Sequence, residues 1–179
     1  KVRETFEKIL GKGPADLRMA TIYDLCHNIA KWEKHSIGGQ ERKLCVHRKG
    51  ATRAFPPGHK EIPEAYQSIG QPVLIPGDMG RYSYVLTGTA GAYEETIGSS
   101  CHGAGRVLSR HAAKKAARGR DIIGDLAKQG ILVRAAGRAT LTEEMPEAYK
   151  DVADVVEVIE RAGIGRIVAR LKPMAVVKG

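Results

Sequence analysis

A histidine beside a glycine-rich turn is the segment of this sequence best suited to chemistry. The run Ser99-Ser-Cys-His-Gly-Ala-Gly-Arg106 places His102 directly before two glycines, and a predicted helix follows. Glycines let successive backbone N–H groups turn toward one point, and a helix N-terminus adds positive charge there. A neutral, oriented imidazole is a good nucleophile toward phosphorus. The segment therefore indicates a phosphate site with a histidine nucleophile, while a plain glycine turn whose histidine caps a helix is the structural alternative.

A strongly basic helix is predicted over residues 103–119, directly after this turn. Its cations recur every four residues and would form one stripe, with no acidic residue between positions 96 and 120. Like charges at this spacing repel by a few tenths of a kcal/mol per pair, and a bound anion would remove that penalty. The stripe thus favours a phosphate backbone as partner, with a solvated basic face as the alternative. Its members are Arg106, Arg110, Lys114 and Arg118.

A second histidine, His27, falls within a helix predicted over residues 15–35. Apolar residues there step by three and four and would form one buried face. Asp24 lies three residues before His27, and a carboxylate beside an imidazole can fix its tautomer for metal binding. A structural histidine is the alternative, since no second histidine follows at the four-residue spacing of a helical metal site.

Two loops offer groups to a phosphate. Pro76-Gly-Asp-Met-Gly80 follows a predicted strand at 72–75 and combines turned amides with one carboxylate. Arg48-Lys-Gly-Ala-Thr-Arg53 is a basic, hairpin-like segment. For each segment taken alone, a plain turn is the better interpretation.

The elements that must position these residues indicate an α+β fold. Helices are predicted at 1–10, at 121–129 and near 146–162, in addition to the two above. Strands are predicted at 44–46, 72–75, 82–86 and 131–135, and the tail over 167–177 is predicted to be extended. Because helices and strands do not alternate regularly, a doubly wound sheet is disfavoured. The 179 residues contain no evident boundary, so we expect one compact domain of mixed strands and helices.

Composition narrows the class of partner. The formal net charge is +9, which points to an anionic partner such as nucleic acid or a nucleotide. No apolar run is long enough to span a membrane, and the charged N-terminus does not resemble a signal peptide. Three cysteines without a C-x-x-C pair fit a reducing compartment, so we expect a cytoplasmic protein.

Six segments in order resemble the RtcB-type tRNA-splicing RNA ligases. The run from Cys101 to Arg106 is the most specific of them. The resemblance covers essentially the whole chain, residues 1–179, but only the C-terminal portion of the larger ligase fold. The segments are His27-Asn28, Arg48-Lys-Gly-Ala-Thr-Arg53, Pro76-Gly-Asp-Met79, Ser100-Cys-His-Gly-Ala-Gly-Arg106, Glu144-Met-Pro-Glu-Ala-Tyr149 and Val177-Lys-Gly179.

The resemblance implies an enzyme that uses GTP and manganese to join an RNA 3′-phosphate or 2′,3′-cyclic phosphate to a 5′-hydroxyl, in tRNA splicing and RNA repair. His102 would become guanylylated, and the guanylyl group would then pass to the RNA 3′-phosphate. His27 would be a manganese ligand, and the basic stripe, Arg110 above all, would hold RNA. The residues matched to the surroundings of the guanylate are His27, Asn28, Pro76, Gly77, Asp78, Met79, Ser83, His102, Gly103, Ala104, Gly105, Tyr149 and Lys178.

The resemblance also implies partners. The family's other metal ligands, a cysteine and further histidines, belong to an N-terminal portion outside this chain, so we expect this chain to be inactive without that portion. RNA, as tRNA halves, is the expected substrate, and an activating protein is a further candidate partner. Two other functions remain open: a non-catalytic basic RNA-binding module and a metal-dependent phosphoesterase.

Overall fold

Six α-helices and nine β-strands make up the described part of the chain in the computed structural model. The structure describes residues 1–178 without the side chain of Arg138, so Gly179 of the closing motif lies outside the described residues. The helices are Val2–Leu10 (α1), Ala90–Glu95 (α2), Arg110–Ala116 (α3), Ile122–Lys128 (α4), Arg138–Glu143 (α5) and Val152–Arg161 (α6). The strands are Asn28–Ile37 (β1), Gln40–Lys49 (β2), Ala51–Arg53 (β3), Pro72–Ile75 (β4), Ser83–Thr87 (β5), Ser99–Cys101 (β6), Leu132–Ala135 (β7), Arg166–Leu171 (β8) and Ala175–Lys178 (β9). The predicted α+β class is confirmed.

A three-stranded antiparallel sheet and one helix enclose the first core. β5 lies between β4 and β8, and α6 packs against the sheet. The alternation predicted for residues 82–86 is correct in its buried members, since Tyr84 and Leu86 are both in this core. From α6 the apolar face contributes Val152, Val156 and Ile159. Burial of these aliphatic side chains is the main stabilising term, at about 25 cal/mol per Å² of apolar surface.

A second core joins the shorter helices. α3, α4 and α5 pack with β7, which pairs in parallel with the C-terminal β9. Leu126, Ile131 and Met145 are almost completely buried there. The loop after β4 bridges both cores, because Ile75 belongs to the first core and Met79 to the second. The residues between them are thereby held at the junction of the two cores.

The helix predicted over residues 15–35 is wrong. Residues 28–37 form β1, which pairs antiparallel with β2 from Asn28 opposite Lys49 to Ile37 opposite Gln40. The two-residue turn Gly38-Gly39 has both φ angles positive, as a tight hairpin turn requires. Burial follows the strand period of two, so Glu33 and His35 are buried, while Lys34 between them and Trp32 before them are 62% and 68% exposed. The spacing of Asp24 and His27 therefore carries no helical meaning.

The basic helix predicted over residues 103–119 is also wrong in its extent. α3 begins only at Arg110, where the Ser109 side chain accepts a hydrogen bond from the Ala112 backbone N–H. Gly105 has a φ of 76°, and Arg106 makes a β-bridge with Tyr149, so the chain is irregular before α3. Arg106 consequently does not lie on one helical stripe with Arg110.

The other predicted elements agree with the structure with small shifts. α1, α4, β4 and β7 match their predicted positions, and the extended tail forms β8 and β9. The helix predicted near 146–162 divides into a 3₁₀ turn at Pro146–Ala148 and α6, which begins after the Asp151 N-cap. Among the described residues, no helix is long and apolar enough to cross a membrane.

Candidate nucleophile and nucleotide site

Two histidines predicted from separate parts of the chain are stacked against each other. The rings of His27 and His102 lie 3.9 Å apart between centroids and are almost parallel, at 5°. Backbone pairing explains the contact. The Gly50 N–H donates to the His27 carbonyl at 3.2 Å, and the next residue, Ala51, pairs with Cys101 across β3 and β6. The end of the hairpin and the end of β6 are thus tied together, and each carries one histidine.

The surroundings of His102 favour its neutral form. Partial burial lowers the pKa of His102 below the usual value of histidine, and the nearby charge of His27 lowers it further. A lowered pKa keeps the imidazole unprotonated, and so nucleophilic, over a wider range of pH. His102 and His27 both line a cavity of about 350 Å³ whose other walls are mainly apolar. The arrangement therefore suits an attack on an electrophile.

A metal site cannot be built from the described residues alone. Within residues 1–178 no group of three or more His, Cys, Asp or Glu side chains could hold a metal ion. Manganese prefers octahedral sites rich in oxygen ligands, whereas His27 and His102 offer only two imidazoles. The residues present do not fit a complete manganese site.

A second cavity, of about 210 Å³, gathers most of the residues matched to a guanylate pocket. Pro76 lines both cavities, so the second adjoins the pair of histidines. The glycine turn after His102 lies against the same loop, because a Cβ placed on Gly103 would lie 3.6 Å from the Pro76 carbonyl oxygen. The cavity is lined by Pro76, Gly77, Asp78, Met79, Ser83, Glu144, Tyr149, Val176 and Lys178.

The loop from Pro76 to Arg81 is shaped by its own side chains. The fully buried carboxylate of Asp78 accepts hydrogen bonds from the backbone N–H groups of Gly80 and Arg81, both at 2.9 Å. Arg81 donates to the Pro146 and Tyr149 carbonyl oxygens at 2.8 and 3.0 Å, which ties the loop to the opposite wall. Asp78 therefore fixes the backbone of the pocket. The role of Arg81 in linking the loop to the opposite wall was not predicted from the sequence.

Gly77 is required at its position by a close approach. A Cβ at this residue would lie 2.0 Å from the Tyr82 carbonyl oxygen. The Gly77 N–H faces the Ser83 hydroxyl oxygen at 3.3 Å and donates to it. Gly77 and Ser83, which were both predicted as guanylate-site residues, are thus hydrogen-bonded neighbours in the wall of the second cavity.

Glu144 is a pocket residue that the sequence interpretation missed. Its carboxylate accepts hydrogen bonds from the Tyr149 hydroxyl and from Arg106, and Lys178 Nζ lies 3.9 Å away. Burial raises the pKa of Tyr149, and the hydrogen bond to Glu144 raises it further. The Arg106 guanidinium also lies 4.8 Å from the centre of the Tyr149 ring. The motif that begins at Glu144 was the available signal, but only contacts across the fold show that this carboxylate organises both Tyr149 and Lys178.

The predicted phosphate-binding cations already have acidic neighbours. Arg106 is only 23% exposed at its side chain, and it also donates to the Leu108 and Glu143 carbonyl oxygens. Arg110 and Lys114 both approach the Glu143 carboxylate, with N–O distances of 3.6 and 2.6 Å. The hydrogen bond from Lys114 lowers the pKa of Glu143. All three cations therefore meet at Glu143: Arg110 and Lys114 approach its carboxylate from α3, and Arg106 bonds to its carbonyl oxygen from outside that helix.

The remaining predicted residues occupy the rim or the backbone of the site. Asn28 directly follows His27, is exposed and lies 3.4 Å from the His47 ring through its amide oxygen. Ala104 is buried in the first core. The Gly105 carbonyl accepts a hydrogen bond from the Lys150 N–H at 3.0 Å, which holds the glycine turn beside Tyr149.

Comparison with known proteins supports one family. A family model described as "tRNA-splicing ligase RtcB" matches residues 1–179. A protein of that name from Archaeoglobus fulgidus is 59% identical over 178 residues, which are 99% of this chain and 37% of that protein. Its namesake from Thermococcus kodakarensis is 54% identical over 178 residues and is covered to the same 37%. A third, from Pyrococcus abyssi, is 56% identical over 178 residues, which are 19% of its length. This chain thus spans between a fifth and two fifths of the length of these relatives.

Proposed function

This chain belongs to the RtcB family of tRNA-splicing ligases, and we propose that it carries the nucleophile and the guanylate pocket of an RNA ligase. The observation that carries the proposal is the position of Pro76, which lines both cavities. On one side lies His102, whose pKa is lowered by partial burial and whose ring is stacked on His27. On the other lies the cavity that collects the predicted guanylate residues. A nucleophile and a nucleotide pocket that share one wall suit transfer of a nucleotidyl group.

His102 acts first in the proposed reaction, with GTP consumed as a co-substrate. The lone pair of its imidazole nitrogen attacks the α-phosphorus of GTP, an N–P bond forms, and the bond to pyrophosphate breaks. The ring then loses a proton to solvent and remains joined to GMP. Partial burial assists this step, because it lowers the pKa of His102 and so favours the unprotonated ring.

His102 then passes the guanylyl group to RNA. An oxygen of the RNA 3′-phosphate attacks the phosphorus, the N–P bond breaks, and the ring takes up a proton from solvent, which regenerates the neutral imidazole. In the last step the 5′-hydroxyl of the second RNA attacks the 3′-phosphorus, loses its proton and displaces GMP. A 2′,3′-cyclic phosphate end must first be opened by water to the 3′-phosphate. Arg110 and Lys114 are the cations that we assign to the RNA phosphates, with Arg106 closer to the pocket.

The proposed guanylate pocket matches the chemistry of a nucleotide. Tyr149 offers an aromatic face, while Lys178 and the backbone of the loop from Pro76 to Met79 offer polar groups. Gly103 to Gly105 offer turned backbone amides next to the nucleophile. We assign a guanine nucleotide rather than another nucleotide on the family relationship.

Manganese, when bound, would neutralise phosphate charge and align the displacement. His27 is the residue of this chain that we assign to it. The other ligands would come from the N-terminal portion of the relatives, so we propose that this chain is inactive without that portion. A tRNA-splicing role in the cytoplasm, RNA repair and a protein activator belong to the same proposal.

The experiment that tests the proposal is intact-mass analysis after incubation with GTP and manganese. It compares the chain alone with the chain plus the N-terminal portion, and peptide mapping locates any adduct. We expect a GMP adduct on His102 only when both portions are present. His102→Ala should abolish it, while His111→Ala, which removes another histidine from an exposed position on α3, should leave it unchanged.

Three results would contradict the proposal. An adduct that persists in His102→Ala would assign the nucleophile elsewhere. No adduct in associated wild-type portions, with RNA binding retained, would favour a non-catalytic RNA-binding module. Release of phosphate without any nucleotide requirement would favour a phosphoesterase.

A further inference from the structure

A buried cluster of charged side chains joins the β1–β2 hairpin to the strand that leads to His102. Glu33 and Arg48 are 3% and 2% exposed, and they form two parallel hydrogen bonds of 2.7 and 2.8 Å. Burial alone would raise the pKa of Glu33, but the hydrogen bonds from Arg48 and His35 outweigh it and lower this pKa. The pair is therefore charged at neutral pH, which makes it a fixed, two-pronged contact inside the protein.

Arg48 uses its other donors on a single short segment. Its Nε donates to the Ser99 hydroxyl at 2.8 Å, and one Nη donates to the Ile97 carbonyl at 2.9 Å and lies 3.3 Å from that of Gly98. Glu33 does not touch this segment itself and orients the guanidinium that does. Arg48 thus donates hydrogen bonds to all three residues of the segment 97–99, which leads through Ser100 and Cys101 to His102.

This segment, residues 97–99, has an unusual backbone. Ile97 has a φ of 53° and Gly98 a φ of 59°, both in the left-handed region. A β-branched residue rarely adopts this conformation, and it persists only where the surroundings impose it. The left-handed pair turns the chain from the end of α2 into β6, so its geometry sets the direction in which β6 leaves.

The same cluster also stabilises the partner histidine. Arg48 lies at the end of β2, one residue before Lys49, which pairs with Asn28 beside His27. His35 contacts Glu33 at 3.0 Å, and its ring packs against Tyr93 at 4.9 Å, so the carboxylate is held from a second side. One guanidinium therefore connects β1, which begins directly after His27, to β6, which ends directly before His102.

We propose that Arg48, oriented by Glu33, is a positioning residue that sets the placement of His102 against His27. Buried ion pairs commonly contribute little net stability but hold a fixed geometry. Arginine is suited to this role because its planar fork serves several acceptors at once, which lysine cannot do. The consequence for catalysis rests on the proposed function, whereas the effect on the two rings does not.

The test compares Arg48→Lys with wild type in the complete ligase that contains this chain. Arg48→Lys keeps the charge but cannot serve Glu33, Ser99 and the two carbonyl oxygens together. Two measurements are made: nuclear Overhauser contacts between the labelled rings of His27 and His102 without GTP, and the rate of guanylylation against GTP concentration. We expect the ring contacts to be lost and the rate at saturating GTP to fall on the order of 100-fold, as for other small misplacements of a reacting group. The KM for GTP should change little, because the hydrogen-bond partners of the Arg48 side chain do not line the pocket.

Ser99→Ala and Glu41→Gln complete the experiment. Ser99→Ala removes one acceptor and should shift both measurements in the same direction by less; it decides the question if Arg48→Lys does not fold. Glu41→Gln removes an exposed ion pair with Lys34 on the same hairpin and should change neither.

The possible results separate the two proposals. Unchanged ring contacts in Arg48→Lys and Ser99→Ala would overturn the inference, as would a slower reaction with the ring contacts intact. Ring contacts that depend on Arg48 in a protein that forms no GMP adduct would support the inference while contradicting the proposed function.

Discussion

At the scale of single residues, the site depends on positions where only one side chain will serve. His102 must be neutral to act, and its partial burial beside His27 lowers its pKa accordingly. Asp78 serves by accepting backbone hydrogen bonds inside its loop, and Glu144 serves by holding Tyr149 and Lys178. Several of the site residues therefore act by holding other groups in position. Small substitutions at these residues test that role directly.

Gly77→Ala is expected to damage the proposed nucleotide pocket. The added Cβ would lie 2.0 Å from the Tyr82 carbonyl oxygen, and backbone cannot move aside as a flexible side chain can. We expect a loss of about 1–3 kcal/mol in the free energy of unfolding and a higher KM for GTP. Denaturant unfolding and guanylylation kinetics measure the two effects.

Gly137→Ala is the matched control, because a Cβ at Gly137 meets nothing within 4 Å and its φ is −149°. Equal effects of the two substitutions would show that the close approach at Gly77 is not the cause.

At the scale of elements, pairs of neighbouring segments decide what each residue can do. α5 supplies the Glu143 carboxylate, which faces the cations of α3. The β1–β2 hairpin supplies the Arg48 guanidinium, which hydrogen-bonds to the backbone just before β6. Neither relation follows from the spacing of residues within one element. Each predicts a measurable response when the pairing is removed.

Removing the carboxylate between α5 and α3 should strengthen RNA binding. Glu143 lies 2.6 Å from Lys114 Nζ and 3.6 Å from Arg110 Nε, so it competes with phosphate for both cations. We expect Glu143→Gln to lower the Kd for single-stranded RNA about two- to fivefold, which corresponds to the modest energy of an exposed pair. Lys114→Gln should raise the Kd. Fluorescence anisotropy at fixed salt measures both, and a weaker affinity in Glu143→Gln would show that this carboxylate serves RNA binding.

The hairpin should lose stability in acid through Glu33. Its pKa is lowered in the folded protein, so its contribution is complete above the usual pKa of glutamate and is lost as the pH falls through the lower, folded value. We expect the free energy of unfolding of wild type to fall as the pH is lowered below about 4.3. Glu33→Gln should start lower by about 3–5 kcal/mol, because Arg48 is left buried and unpaired, and should fall less steeply.

Denaturant unfolding at a series of pH values measures this dependence. Glu41→Gln is the control, since Glu41 is an exposed member of an ion pair on the same hairpin. Parallel curves for wild type and Glu33→Gln would exclude Glu33 as the titrating group.

At the scale of the whole molecule, two cores and a net charge of +9 define what the chain can bind. The pocket lies where the loop from Ile75 to Met79 passes from one core to the other, so both cores support it. The positive charge attracts any polyanion, and its contribution is screened by salt. Binding of RNA by this charge must therefore weaken as salt rises.

The salt dependence of RNA binding distinguishes attraction by the net charge from contacts of individual cations with phosphate groups. We expect the logarithm of the RNA association constant to fall linearly with the logarithm of salt concentration. Arg110→Ala should reduce the slope by about 1, as expected for the loss of one phosphate contact. Lys128→Ala, which removes an exposed cation from α4, should change the slope less. Equal changes in both variants would show that only the total charge matters.

The sequence by itself determined the class of fold and most strands and helices, because local spacing and turn residues act over a few positions. It also singled out His102 beside its glycine turn, while the residues matched to a guanylate pocket came from the family resemblance, and their roles stay predictions. The tertiary structure decided the rest. Residues 15–35 were predicted to be helical because a three- and four-residue spacing was present, but pairing with β2 and the burial of Glu33 and His35 imposed a strand. The stack of His27 on His102, the acidic neighbours of the cations and the hydrogen bond from Arg48 to Ile97 join residues 29 to 75 positions apart. Such contacts depend on how elements pack, which no local pattern encodes.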